Sequence, residues 1–235
     1  MIKGIFMAAR SLQSGEQHIS VVANNLANIN TNGFKREVPF AEILDKEGNL
    51  VVNQITDQKQ GELVSTSNPL DVALKGDGFF VVKTEDGQEL TRDGRFNISN
   101  EGFLVNVNGQ KVLSKSGEIS FNQNIFDQKN SISISKTGEI KIGDTSVGEL
   151  LIANVDDARL LKKAGNNNFI SSDENYKTQD ESNFDVIQGY LESANVNPVE
   201  EMEAMIRTNK DYQSSYKIVN YLDESLEKAN QIGKV

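Results

Sequence analysis

VVANNLANINTNGFKRE, residues Val21 to Glu37, places Asn24, Asn25, Asn28, Asn30 and Asn32 within one short span. Asparagine is a poor helix former because its amide competes with the backbone for hydrogen bonds. Val21, Val22, Leu26 and Ile29 nevertheless fall where a helix puts its buried stripe, so the span reads as a helix that ends in Asn-Gly-Phe-Lys. Upstream, Ile5, Leu12, Ile19 and Leu26 recur every seven residues, with Ala8, Gly15, Val22 and Ile29 three positions on. That is a heptad seam with Gly15 as its weak point. Asn24, Asn25 and Asn28 fall beside the seam, where an amide can donate and accept without a charge to desolvate. They are expected to form the polar side of an intermolecular contact. Asn30 to Gly33 reads as the helix exit, where Asn32 and Gly33 tolerate left-handed backbone, with Phe34 anchoring the chain beyond it.

The C-terminal end repeats this logic. Met205, Tyr212, Val219 and Leu226 are seven apart, and Thr208, Ser215, Leu222 and Ala229 take the second seam position. In NVNPVEEM, Asn197 suits the N-cap and Pro198 the first helical turn, and Glu200 and Glu201 suit the positive end of the helix dipole. Gly233 is read as the stop.

Between the two ends lies strand periodicity. Asp86-Gly87, Asp93-Gly94, Glu101-Gly102, Asn108-Gly109 and Ser116-Gly117 punctuate short strand-like pieces: FFVVKT, ELTR, RFNIS, FLVNV, QKVLS and EISF. The spacing predicts an antiparallel meander of hairpins. SISISKTGEIKIG continues the alternation, GELLIANV adds a buried strand, and DDARLLKKAG (Asp156 to Gly165) reads as a short helix or turn. In RDGRF (Arg92 to Phe96) the arginines read as solvated at a turn, or in contact with a neighbouring molecule.

The fold class is therefore α+β. Long N- and C-terminal helices are expected to pair as a coiled coil around a central antiparallel β-rich domain. The boundaries are 1–30 for the first helix, 31–66 for an extended connector, 67–184 for the β domain and 185–235 for the second helix. The seam residues Ile5, Leu12, Ile19, Val22, Leu26, Met205, Tyr212, Val219, Leu222 and Leu226 are the expected assembly interface. The helices either lie on the β domain or pack on each other and on other copies, and head-to-tail contacts of the second kind build filaments or rings.

Composition narrows the function. A net charge of −10 would repel nucleic-acid phosphates. With no cysteine there is no disulfide, thiolate zinc site or thiol nucleophile. The early apolar runs are too short for a signal-peptide core or a membrane span. His18 is the only histidine and lies beside the seam, no serine sits in a G-x-S-x-G context, and GDGFF and TEDGQE read as turns. No catalytic constellation, metal site, cofactor or small-molecule substrate is expected. The rival to a filament subunit is a secreted binding module that dimerises through its helices.

ANNLANINTNGFKRE (Ala23 to Glu37) resembles the N-terminal signature of the bacterial flagellar rod and hook proteins, and QGYLESANVNPVEEMEAMI (Gln188 to Ile206) resembles their C-terminal signature. NPLDVALKGDGFFVV and LTRDGRFNISNEGFLVNVNGQKVL are similar to the family's β segment. The residues carrying the two terminal motifs are Asn24, Asn25, Leu26, Asn28, Gly33, Phe34, Asn195, Asn197 and Pro198. The resemblance implies a non-enzymatic subunit of the periplasmic rod, exported through the flagellar type III apparatus without a cleaved signal. Its expected partners are other copies of itself and other rod and hook proteins. The short middle is closer to the proximal-rod paralogue than to the longer distal-rod one.

Overall fold

The computed structural model describes residues 2–44, 50–121, 132–155, 161–171, 177–178 and 183–232. The fold is α+β: helix α1 (Ile2–Ala27) opens the chain, helix α2 (Pro198–Ile232) closes it, and antiparallel strands lie between. The chain divides into two compact units. One comprises residues 1–29, 36–57 and 196–235; the other comprises 30–35 and 58–195.

In the first unit α1 and α2 run antiparallel. Gly4 meets Leu222, the Ser11 and Ser215 hydroxyls are hydrogen-bonded at 2.9 Å, Gly15 meets Tyr212, and Asn25 reaches Glu201. Between the first and last of these contacts each helix advances 21 residues, so the register holds for roughly 32 Å at 1.5 Å per residue. The extended pieces read at FAEIL and LVVNQIT become strands β1 (Glu37–Leu44) and β2 (Leu50–Thr56), which pair antiparallel.

The second unit holds the remaining strands. The first group is β3 (Leu63–Ser65), β4 (Val72–Gly76), β5 (Phe79–Lys83), β6 (Gln88–Thr91), β7 (Phe96–Ile98), β8 (Leu104–Asn106), β9 (Lys111–Ser114) and β10 (Gly117–Glu118). Then follow β11 (Ile132–Ile134), β12 (Glu139–Ile142), β13 (Thr145–Glu149), β14 (Ile152–Asn154), β15 (Leu161–Gly165) and β16 (Asn168–Ser171). Last come β17 (Lys177–Thr178), β18 (Phe184–Gln188) and β19 (Tyr190–Glu192). The main sheet runs β15-β16-β6-β5-β9-β8-β7, with β10 beside β9 and β14 bridging β5 and β17. It is antiparallel but not a sequential meander, because β9 rather than β7 returns to lie against β5.

The sequence FFVV explains why β5 is central. Successive strand side chains point to opposite faces, and both faces here are buried. Phe80 and Val82 join a core with Leu74, Phe96, Val112 and Ile152; Phe79 and Val81 join another with Leu90, Leu113 and Phe169. Phe80 meets Phe96 edge-on at 5.1 Å and Phe79 meets Phe169 at 5.7 Å.

Several readings change. Residues 161–165 of DDARLLKKAG form strand β15, paired with β16, whereas 156–160 lie outside the described residues. SISISKTGEIKIG does not extend the main sheet: its described part forms β11 and β12, two strands of the separate three-stranded sheet β11-β12-β13. GELLIANV is divided between the end of β13 and β14. Gly233 lies outside the described residues.

Candidate functional site

The terminal signatures meet within each unit. In the first unit, Asn197 caps α2: its Oδ1 accepts from the Val199 amide at 3.1 Å and its Nδ2 donates to the Glu200 carboxylate at 3.0 Å. Pro198 opens the helix without a lost donor. Glu201, one turn in, is fully buried, and its carboxylate accepts from Arg36 Nε and from Asn25 Nδ2.

Asn25 is also fully buried, so its amide is spent inside the chain rather than on an intermolecular flank. Its Nδ2 donates to the Glu37 carbonyl at 2.8 Å and its Oδ1 accepts from the Glu37 amide at 2.9 Å. This two-way clamp fixes the first residue of β1 against α1, which a carboxylate or an ammonium could not do. Asn28 serves the helix end, donating from Nδ2 to the Asn24 carbonyl at 2.9 Å; Asn24 itself is exposed.

Of the expected seam residues, Leu222 meets Gly4 and Tyr212 meets Gly15 on the other helix. Ala8, Val22 and Ser215 are buried, and Ile5, Leu12, Ile19, Leu26, Met205, Tyr212, Val219, Leu222 and Leu226 are half-buried. A second apolar set lies outside the seam: Phe6, beneath the Arg10 guanidinium at 4.5 Å, and Met7, Val199, Met202, Ile206, Ile218 and Tyr221 are all more than half exposed.

In the second unit the helix exit is gripped residue by residue. Of the two positions that tolerate left-handed backbone, Gly33 is the one that adopts it (φ +68). Its amide donates to the Glu192 carbonyl at 2.7 Å, and a Cβ there would lie 2.5 Å from the Arg92–Asp93 backbone. Phe34 is buried beneath the Lys163 ammonium, 4.1 Å from the ring centre. Lys35 has no exposed surface, and its Nζ donates to Glu192 Oε1 at 2.6 Å and to the carbonyls of Lys59 at 2.8 Å and Gln58 at 3.3 Å. Asn195 donates to the Lys59 carbonyl at 2.9 Å.

Glu192 collects a second cation, Arg92, through Nη1 at 3.2 Å. This corrects the reading of RDGRF as a solvated turn. Arg92 is only 4% exposed, and its Nη2 donates to the Gly76 carbonyl at 2.8 Å. Burial pushes the guanidinium below its ordinary value, and Glu192 opposes that shift. Gly94 allows the close passage, since a Cβ would fall 1.6 Å from the Val72 carbonyl oxygen. Only Arg95 of the pair is partly solvated, forked onto Asp93 at 2.6–3.2 Å.

Sequence reasoning missed Lys35, Arg36 and Glu192, and the buried partners of Arg92 and Glu201. Each looks like a surface charge until its partner is known, and Lys35 and Glu192 are 157 positions apart. Among the described residues no group of three or more His, Cys, Asp or Glu could hold a metal. No described helix is long and apolar enough to cross a membrane.

Three family descriptions match the chain in order. Residues 7–35 match "Flagella basal body rod protein", 73–142 match "Flagellar hook protein FlgE/F/G D1 domain", and 187–232 match "Flagellar basal body rod FlgEFG protein C-terminal". Lys35 and Asn25 lie in the first of these segments, Glu192 and Glu201 in the last. The chain is 29% identical to the flagellar basal-body rod protein FlgF of Rhizobium meliloti over 97% of both chains. It is 31% identical to FlgF of Caulobacter vibrioides over 93% of both. It is 32% identical to the rod protein FlgG of Buchnera aphidicola subsp. Baizongia pistaciae, over 97% of this chain and 98% of that one. With both terminal signatures matched and likeness along nearly the full length, the chain belongs to the flagellar basal-body rod protein family.

Proposed function

We propose that this chain, a structural member of the rod family, polymerises through its terminal helices into the axial shaft that carries torque from motor to hook. The observation that carries the reading is the apolar set left on the outside of the paired helices. Phe6 and Met7 lie near one end of the antiparallel pair, and Val199, Met202 and Ile206 near the other. Two unlike patches favour head-to-tail contacts, which do not close on themselves as a twofold dimer does.

Magnitudes support a cooperative polymer rather than an isolated dimer. Each large apolar side chain gains roughly 1.5–3 kcal/mol on full burial. Association itself costs an estimated 4–15 kcal/mol. One patch of two or three residues about breaks even, so stable assembly needs several neighbours at once.

In this reading the seam residues from Ile5 to Leu226 make a coiled-coil pair within the chain, and the outer set meets other copies and other rod and hook proteins. Residues 1–30 and the helix Pro198–Ile232 within 185–235 act as the assembly elements and 31–66 as connector, while the β domain expected over 67–184 runs on through β18 and β19. The chain reaches the periplasmic rod through the flagellar type III export apparatus. The proximal-rod FlgF assignment is supported by the alignments, which run 235 to 247 positions with FlgF relatives against 259 to 268 with FlgG relatives. The 32% identity to one FlgG supports the distal-rod alternative.

The double variant Met202→Glu/Ile206→Glu tests the assembly reading, because both side chains are exposed in the single chain. It should fold as the wild type does by circular dichroism yet be missing from purified basal bodies. Wild-type incorporation would overturn the proposal. Cryo-electron microscopy of basal bodies separates the paralogues, with density beside the motor favouring FlgF and a sheath below the hook favouring FlgG.

A further inference from the structure

We propose that residues 58–195 carry a peptide-binding groove that reads the tetrapeptide Asn32–Lys35 and can take it from a second copy of this chain. The inference goes beyond helix-mediated assembly and does not depend on it. The second unit is discontinuous: residues 30–35 belong to it, although the segments before and after them belong to the first unit. The short segment supplies neither helix nor strand. It behaves as a tethered ligand.

Four consecutive residues are each read by a different device. The Asn32 carbonyl accepts from Asn167 Nδ2 at 2.8 Å. Gly33 is selected by shape, because the Arg92–Asp93 backbone leaves no room for a Cβ. The Phe34 ring is buried and covered by the Lys163 cation. Lys35 brings three ammonium protons to three acceptors, the Glu192 carboxylate and two carbonyls, and so is fully satisfied. A buried aromatic anchor beside a desolvated charge pair is the composition of a binding hot spot. Asn167 and Lys163 both lie on the β15–β16 hairpin, which therefore forms one wall of the groove.

Tethering holds the site filled in cis, at an effective concentration in the mM range for a short linker. A second copy offers the same four residues and competes only when the resident segment is weakened. The identity of the ligand is thus written in the chain itself.

The test uses the full-length chain with Phe34→Ala and Lys35→Ala, which vacates the two side-chain subsites of the groove and leaves its wall residues unchanged, with only the backbone contacts of Asn32 and Gly33 holding the resident segment. The probe is a fluorescein-labelled peptide of residues 30–37, NTNGFKRE, followed by anisotropy. The emptied chain should bind it saturably, and the wild-type chain on the order of 100-fold more weakly because its groove is occupied. Peptides carrying Gly33→Ala or Lys35→Glu should lose at least about tenfold, since either change removes one reading device. No saturable binding to an emptied chain that keeps its strand signal in circular dichroism overturns the proposal, as does indifference to Lys35→Glu. Should the double variant not fold, Lys35→Ala alone replaces it. The wild-type chain at mM peptide, with a photoreactive group at the Phe34 position, gives an independent readout. Crosslinks at the β15–β16 hairpin support exchange, and their absence overturns it.

Discussion

The Lys35 ammonium stands 2.6 Å from the Glu192 carboxylate, with neither side chain more than 1% exposed. The contact joins the N-terminal signature to the C-terminal one, and Arg92 shares the same carboxylate at 3.2 Å. Removing the acid leaves two buried cations facing each other, whereas removing one cation leaves the other in place. Breaking one partner of a buried pair costs about 3–5 kcal/mol. Glu192→Ala should therefore lie at the top of that range, and Lys35→Met below it, because an apolar chain of similar length refills the slot and Arg92 still neutralises Glu192. Urea unfolding followed by circular dichroism measures both. Equal destabilisation would mean that Arg92 does not share the carboxylate.

Asn25 supports an opposite-signed pair of expectations. Replacing it with Ala improves helix propensity by up to about 0.7 kcal/mol. It also removes the Asn25 side chain from the half-buried amide and carbonyl of Glu37, at up to about 1–3 kcal/mol each. The loss dominates, so Asn25→Ala should destabilise the chain by roughly 2–5 kcal/mol. The exposed Asn24→Ala should be neutral or slightly stabilising. Thermal melts of the two variants decide the point; matching melting temperatures would refute the clamp.

The same residues show how far the sequence can be read. Asn197 and Pro198 were legible because a cap is a local device, complete within four residues. The two terminal helices were legible because their apolar residues recur at helical spacing. Most strands were legible because turn residues bound them. Asn25 was misread because the seam marks what faces α2 and gives no sign of what β1 brings to the helix flank. Lys35 and Glu192, and the buried partner of Arg92, were missed because a buried charge is affordable only beside its counter-charge, and that proximity is created by folding. The β5–β9 pairing was missed for the same reason: it depends on a non-local return, not on spacing.

Gly33 should prove far less replaceable than Gly109, although both have positive φ, +68 and +77. Alanine at Gly109 meets nothing within 4 Å, so only backbone strain of roughly 1–2 kcal/mol applies. Alanine at Gly33 adds a clash with the Arg92–Asp93 backbone at 2.5 Å, which no side-chain rotation relieves. Gly33→Ala should also weaken the Gly33–Glu192 backbone hydrogen bond and slow no exchange elsewhere. The Gly61 amide donates to Glu192 Oε1 at 2.9 Å, so hydrogen-exchange protection at the amides of residues 33 and 61 should fall in Gly33→Ala and stay intact in Gly109→Ala. Equal protection in the two variants would show that the segment can shift to make room.

Acid should reveal the surface clip that joins β5, β9 and β10. Lys111 and Lys83 each donate to Glu118 at 2.8 Å, and together they lower its carboxyl to about 2 from an ordinary 4.5. Because the folded value is depressed, the contribution is fully present above about pH 4.5 and disappears as pH falls through about 2. Glu118→Gln should then be less stable than wild type at pH 7, with the gap closing as the acid limit is approached. Salt should narrow the gap as well, since the site is open to solvent and screened. A carboxyl titration by nuclear magnetic resonance should place the Glu118 midpoint near 2, and a midpoint near 4.5 would show that the two lysines do not hold the carboxylate in solution.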